Sequence, residues 1–215
     1  MTAKTQAPAP LTPDQAAAIA ALVPDLIRAT GPVSYDNQFG TQGLLERVVT
    51  ASWSRPETLF AAANTTAVWD GDALAGIELG FAGPDFYRFK DNLAALAGDL
   101  ISTGAVGLDE LRGLAERAEI ASYLNAHVPG DVYYLHALAT PASHRGIGAG
   151  KALLRAAIER ARAAGFRELQ LDVLADNPTV GFYQAHGLRM LSEVHSPYLS
   201  AEHGFPGELR MAVTL

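Results

Sequence analysis

Apolar positions recur at helical spacing in one part of the chain and run continuously or alternate in others, and the pattern changes wherever glycine and proline cluster. From Asp14 to Thr30 the chain is alanine-rich, with Ile19, Leu22, Leu26 and Ile27 on a helical period. Pro24 must bend or split that helix, and Gly31-Pro32 ends it. Leu44, Leu45, Val48 and Val49 predict a second short helix, to about Ser54. Thr66–Trp69 and Ala73–Phe81 are β-like runs joined through Asp70-Gly71-Asp72, a hairpin signal. Gly83-Pro84 then opens a stretch of helical period that lasts to Val128. Leu93, Leu96 and Leu100 mark one helix there, and Leu111, Leu114, Ala118 and Leu124 mark another, closed by Pro129-Gly130. Residues 1–12, with prolines at 8 and 10, read as a flexible tail ahead of one domain spanning 13–215.

The last third is the best punctuated. Val132–Thr140 is a continuous apolar strand, and Pro141–Gly150 is a polar, glycine-rich turn. Lys151–Ala164 is an amphipathic helix with Leu154, Ala157, Ile158 and Ala161 inward and Arg155, Glu159, Arg160 and Arg162 outward, stopped at Gly165. Leu169–Leu174 is another strand, and Asn177-Pro178 begins a helix to about His186. Two final strands, near Leu188–His195 and Glu208–Leu215, flank a loop with Pro197, Gly204, Pro206 and Gly207. Strand, turn, helix and strand in that order demand a parallel pair, so the class is α/β.

Composition narrows the function. Hydrophobic residues make up 49% of 215, enough for a real core, and charged residues only 18%. No cysteine is present, which removes disulfides, a Cys nucleophile and thiolate metal sites. Sixteen Lys+Arg against 23 Asp+Glu give a net charge of −7 and argue against nucleic acid as a partner. The longest apolar run, Ala16–Val23, falls far short of a membrane span, and the N-terminus lacks a secretory apolar region. A soluble, cytoplasmic protein without membrane contact is expected; oligomeric state, including a homodimer, is left open.

The chemistry concentrates in Arg145-Gly146-Ile147-Gly148-Ala149-Gly150-Lys151, between a buried strand and a helix N-terminus. The first amides of a helix lack intrahelical partners and carry the positive end of its dipole. Glycines let a phosphate approach those amides, and Arg145 and Lys151 add charge. Three motifs compete. A P-loop fails twice, because Arg145 stands where its first glycine should be and Ala152 follows Lys151. A Rossmann Gly-x-Gly-x-x-Gly meets Lys151 or Leu153 at its third glycine, although Asp172 lies at a suitable distance for a ribose ligand. The third is Arg-x-x-Gly-x-Gly, met by Arg145, Gly148 and Gly150.

With the preceding strand Leu135–Pro141 and the later Asn177 and Gly181-Phe182-Tyr183, this third pattern resembles the GCN5-related N-acetyltransferase (GNAT) superfamily over about residues 132–190. The resemblance implies a mixed, mostly antiparallel sheet with a splayed parallel strand pair and flanking helices. The pantetheine arm of acetyl-CoA would lie in the gap like an added strand. Leu138, Ala139 and Thr140 would offer it backbone groups, Arg145 to Lys151 would hold the pyrophosphate, and Asn177 would hold the arm. Tyr183 would protonate the departing thiolate. A primary amine of a small molecule or peptide would attack the thioester, without metal. For the base that takes the amine's proton the family offers no fixed motif. Glu78 is the first candidate because it interrupts an apolar strand, with an outward-facing edge residue as its plain alternative. His136 is the second, with a satisfied core histidine as its alternative. His195 and His203 read as loop or surface histidines, and Asp172 as facing a neighbouring strand or solvent.

Three features depart from the family. Asn177 and Tyr183 lie six residues apart, where seven is common; residues 84–129 form a helical insertion; and no first strand is recognisable before the Asp14 helix. A catalytically silent acyl-CoA-binding module and a dinucleotide-dependent oxidoreductase stand as alternatives to the acetyltransferase.

Overall fold

The computed structural model describes residues 5–40, 42–125 and 127–215. Its centre is a seven-stranded sheet in the order β1-β2-β3-β4-β5-β7-β6. The strands are β1 (Ala9–Pro10), β2 (Thr65–Asp70), β3 (Ala73–Ala82), β4 (Val132–Ala139), β5 (Glu168–Leu174), β6 (Arg189–Val194) and β7 (Glu208–Thr214). Every neighbouring pair is antiparallel except β4 and β5. The sheet is thus the mixed, mostly antiparallel one expected, and one parallel pair cannot make the doubly wound parallel sheet that the dinucleotide reading needs.

Two registers shape the middle of the sheet. Opposite β3, Leu79 faces Ala137 while Gly80 faces Leu135, so His136 is an extra residue in β4, a β-bulge. Opposite β5, β4 pairs only through Val132, Tyr133 and Tyr134, beside Glu168, Leu169 and Gln170. β5 stays paired to β7 along its whole length, from Glu168 against Thr214 to Leu174 against Glu208. It is therefore β4 that leaves, bending at the bulge as extra strand residues make it do. The pair splays beyond Tyr134.

Helices cover both faces. On one lies α7 (Ala149–Ala163), whose Leu154, Ala157 and Ala161 pack on Tyr133, Leu135, Leu169 and Leu171. On the other lie α1 (Pro13–Ile19), α2 (Val23–Thr30), α3 (Pro32–Phe39), α4 (Gln42–Trp53) and α5 (Asp85–Ser102), which share a core with Ile77, Leu79, Phe81 and Tyr134. Thr12 caps α1 reciprocally with Gln15, and a 3-10 turn at Ala20–Leu22 divides α1 from α2 so that Pro24 falls in a first turn. The stretch expected as a helical insertion forms α5 and α6 (Leu108–Ser122). Two short helices close the architecture, α8 (Val180–Ala185) and α9 (Pro197–His203). No single helix among the described residues is long and apolar enough to cross a membrane.

Four expectations need correction. The tail holds β1: Ala9 and Pro10 pair with Ala67 and Thr66, and the Gln6 amide donates to the Trp69 carbonyl at 2.8 Å. Proline has no N–H to give a sheet, so Pro8 and Pro10 fit an edge and had read as a tail; residues 1–4 lie outside the described residues. α3 begins at the Pro32 that was to mark only an ending, since proline suits a first helical turn. The final loop contains α9, capped by the Ser196 hydroxyl. Arg160, expected to point outward, donates to Glu78 and, at 2.8 Å, to the Tyr133 hydroxyl.

Glu78, Tyr133 and Arg160 join β3, β4 and α7 through charged hydrogen bonds, and Gly80 leaves them room. A Cβ at Gly80 would lie 2.5 Å from Glu78 Oε1 and 2.6 Å from the Tyr133 hydroxyl. Gly80→Ala should cost about 1–3 kcal/mol in urea denaturation, the usual range for overpacking; wild-type stability would show that the cluster yields freely.

Candidate functional site

The glycine-rich turn folds as its composition demands. Gly146 and Gly148 adopt φ of +83° and +91°, the left-handed region where a side chain is strained, and Gly148 caps α7. Arg145, Gly146, Ile147 and Gly148 are exposed, and nothing lies within 4 Å of where a Cβ would stand on Gly146 or Gly148. The first-turn amides of a 15-residue helix thus open onto uncovered glycine backbone, with Arg145 and Lys151 exposed beside them and in no ion pair among the described residues. Ala149 is buried and anchors the turn against Val68, Ala75 and Leu153. Such a turn can hold an anion.

The turn sits at the mouth of the splay. A Cβ on Gly150 would lie 3.7 Å from the Thr140 methyl, just past β4, and 3.9 Å from the Phe182 ring on α8. Leu138 packs toward α7 and Ala139 toward the opposite core, so the backbone of Leu138–Thr140 edges the gap. Tyr183 is buried among Leu135, Leu154 and Leu171, with Leu138 and Phe182 against the same cluster. Its hydroxyl has no hydrogen-bond partner among the described residues, and burial pushes its pKa up to about 12, so it keeps its proton at neutral pH. Asn177 does structural work: its amide donates to the Thr30 carbonyl at 3.3 Å, and its oxygen accepts from the Thr179 amide at 2.9 Å and hydroxyl at 2.7 Å.

The two base candidates lie on opposite faces. Glu78 is fully buried toward α7, where it accepts from Arg160 and, at 3.1 Å, from Tyr133; burial pushes its pKa up, against the pull of Arg160. That geometry commits the carboxylate to the fold. His136 points the other way, against the rings of Phe60, Phe81 and Tyr134, with its Nε2 buried and unpartnered. Burial pushes its pKa down to about 4, so the ring is neutral at pH 7.

On the His136 face a cavity of about 400 Å³ opens beneath the splay. Tyr134 and His136 of β4 and Asp172–Leu174 of β5 form its floor, and α3, α5 and α6 supply largely apolar walls. Asp172 faces its neighbouring strand: it takes a two-pronged ion pair from Arg210, 2.8 Å at Nη2, and a 2.9 Å hydrogen bond from Tyr134. His195 and His203 are exposed, as read, and neither lines the cavity.

Sequence reasoning passed over Glu208, which opens β7 and lines the cavity floor. Its carboxyl meets no hydrogen-bond or ion-pair partner among the described residues. Burial pushes its pKa up to about 8, Asp172 adds to the rise and Arg210 opposes it. The available signal was the one that drew attention to Glu78, an acid entering an apolar strand.

A sequence model of the Acetyltransferase (GNAT) family matches residues 104–188. An N-acetyltransferase from Staphylococcus aureus Mu50 shares the fold with a TM-score of 0.69 at 14% identity, over 97% of this chain and 100% of that one. A structure described as an acetyltransferase gives 0.66 at 18% identity, over 97% and 99%. A Bacillus subtilis acetyltransferase in complex with CoA gives 0.52 at 15%, over 99% and 98%. No curated protein matches the chain. Sheet order and splayed pair give the chain the fold of these acetyltransferases, and its likeness to the GNAT family model is confined to residues 104–188.

The raised Glu208 pKa predicts a pH effect on stability. An unfolded glutamate titrates near ~4.3. The folded value is higher, so the contribution is complete below about pH 4.3 and is lost as pH rises through the folded pKa. Urea denaturation should therefore show Glu208→Gln gaining on wild type between pH 5 and pH 9. A constant difference would mean an ordinary, solvated carboxyl.

Proposed function

We propose that the chain transfers an acetyl group from acetyl-CoA to an amine by direct attack in a ternary complex. The observation that carries this reading is the coincidence of the splay in β4 and β5 with the glycine turn and α7 N-terminus at its mouth. The residues fit acyl-CoA. Gly146 and Gly148 leave open space for a pyrophosphate against the first α7 amides, flanked by Arg145 and Lys151, and Leu138–Thr140 have backbone free of a β5 partner to receive a pantetheine arm.

Acetyl-CoA, when bound, supplies the thioester. The chain's own residues do the rest. Backbone along Leu138–Thr140 holds the acyl carbonyl, where a fixed donor to a developing oxyanion is worth about 2.7–4 kcal/mol. Tyr183, protonated and unpartnered, donates to the departing sulfur. Glu78 supports β3 and α7 and takes no part in the chemistry, while Asn177 fixes the loop between β5 and α8 to the end of α2. The helical insertion shapes the acceptor side, because α5 and α6 wall the cavity beneath the gap.

Three variants test this. Gly150 has an ordinary backbone and is the second residue of α7, so Gly150→Asp adds charge at the cradle without the strain that Gly148→Asp would bring. An acid in the first turn favours the helix by about 0.3–1 kcal/mol. Calorimetry should show acetyl-CoA affinity down by about tenfold or more, with melting temperature unchanged or raised; unchanged affinity would refute the pyrophosphate assignment. Tyr183→Phe keeps the ring and should lose on the order of 10²-fold in turnover with acetyl-CoA affinity little altered. Wild-type turnover would return Tyr183 to packing alone. Glu78→Gln should lower the melting temperature and leave turnover per folded molecule within a few-fold, whereas a large loss of turnover at full stability would restore Glu78 as the base.

A further inference from the structure

Resting on the acetyl-transfer reading, we infer that the acceptor is a hydrophobic monoamine, an aryl- or alkylamine whose carbon body fills the cavity under α5 and α6 and whose nitrogen lies at Glu208. Three observations converge on it. The first is an unsatisfied apolar wall. α6 has no fully buried residue, and Leu111, Leu114 and Ala118 on its cavity side stay half-buried because an open volume of about 400 Å³ stands where a core would be. That volume suits a small organic molecule. Covering those side chains would remove apolar surface from water and so stabilise the helix.

The second is charge. Around Glu208 stand Asp172 from β5, Arg210 from its own strand, Tyr35 from α3 and Tyr134 from β4. Arg210 and Tyr134 are spent on Asp172, which leaves one carboxyl on the floor without a partner. A single ammonium answers it, and the positive neighbour would favour the ionised form of Glu208. Lys90, exposed at the cavity wall, repels a second positive charge and so disfavours polyamines.

The third is placement. His136 Nε2, buried and unpartnered, faces the same cavity from the bulge, on the strand whose departure from β5 opens the gap. The proton balance closes. The Glu208 carboxylate takes one proton from the ammonium, and the freed lone pair attacks the thioester carbonyl. The C–N bond forms and the C–S bond breaks. Tyr183 gives its proton to sulfur and regains it as the new amide nitrogen sheds its surplus proton through His136 and water. One proton leaves per turnover, from Glu208 to solvent.

Thiol release with acetyl-CoA and a panel of phenethylamine, hexylamine, spermidine and 2-phenylethanol tests the inference, with acetyl-CoA binding measured separately by calorimetry. Phenethylamine and hexylamine should exceed spermidine at least tenfold in kcat/KM, and 2-phenylethanol should be inert. Ala118→Phe should raise KM for phenethylamine about tenfold while the Kd for acetyl-CoA stays as in wild type. Glu208→Gln should lower kcat by about 10²-fold and flatten the rise of rate with pH. Acetyl-CoA binding with spermidine preferred, with no amine turned over, or with Ala118→Phe indifferent to phenethylamine overturns the inference and leaves the cosubstrate reading standing. No acetyl-CoA binding overturns both.

Discussion

One extra residue in β4 governs the geometry of the site. A strand with a regular partner on each side has no room for anything else, because its backbone groups are used. His136 breaks the register with β3, and the bend lifts the rest of β4 away from β5 after only three paired residues. β5 does not follow, being held to β7 along its whole length. The β5-facing edge of β4 beyond Tyr134 is therefore left without a strand partner, and the end of the opening is where the glycine turn meets Thr140 and Phe182. The same bulge turns both His136 and Ala137 toward the α2–α5 face, which sets the histidine over the cavity.

The sheet also separates two kinds of buried charge. Toward α7, Glu78 meets Arg160 and Tyr133 and the cluster is closed, each group answering another. Breaking such a set is costly because it strands a buried charge. Toward the cavity, Asp172 is closed in the same way by Arg210 and Tyr134, but Glu208 is not. Burial raises its pKa, because no donor offsets the loss of water around the carboxyl. Acids in apolar strands thus stand in two different environments here, told apart by their partners.

That distinction explains what the sequence could and could not disclose. The strand, glycine turn and helix at 132–163 were legible because their logic is local: glycines at positive φ, an amphipathic helix and a continuous apolar strand lie within one stretch. The helices of the insertion were legible from spacing. Glu78 was visible as an oddity, yet its partner Arg160 lies 82 residues away, and no local pattern could show the pairing. Arg160 itself read as outward because helical period ranks faces by polarity and cannot see a buried acid on the next layer. Glu208 carried the same mark as Glu78 and was passed over. The insertion of β7 between β5 and β6, and β1 hidden among prolines, are long-range pairings that no window of sequence reports.

Amide hydrogen exchange with and without CoA tests the central claim, that the departure of β4 from β5 makes a slot for an extended thioester cosubstrate. The account predicts new protection confined to Leu138–Thr140, to the first α7 amides from Ala149 to Lys151, and to the α8 segment around Tyr183, with β2 and the far end of β3 unchanged. Protection that appears elsewhere while Leu138–Thr140 exchanges as before would mean that the gap opened by His136 is not where the cosubstrate binds.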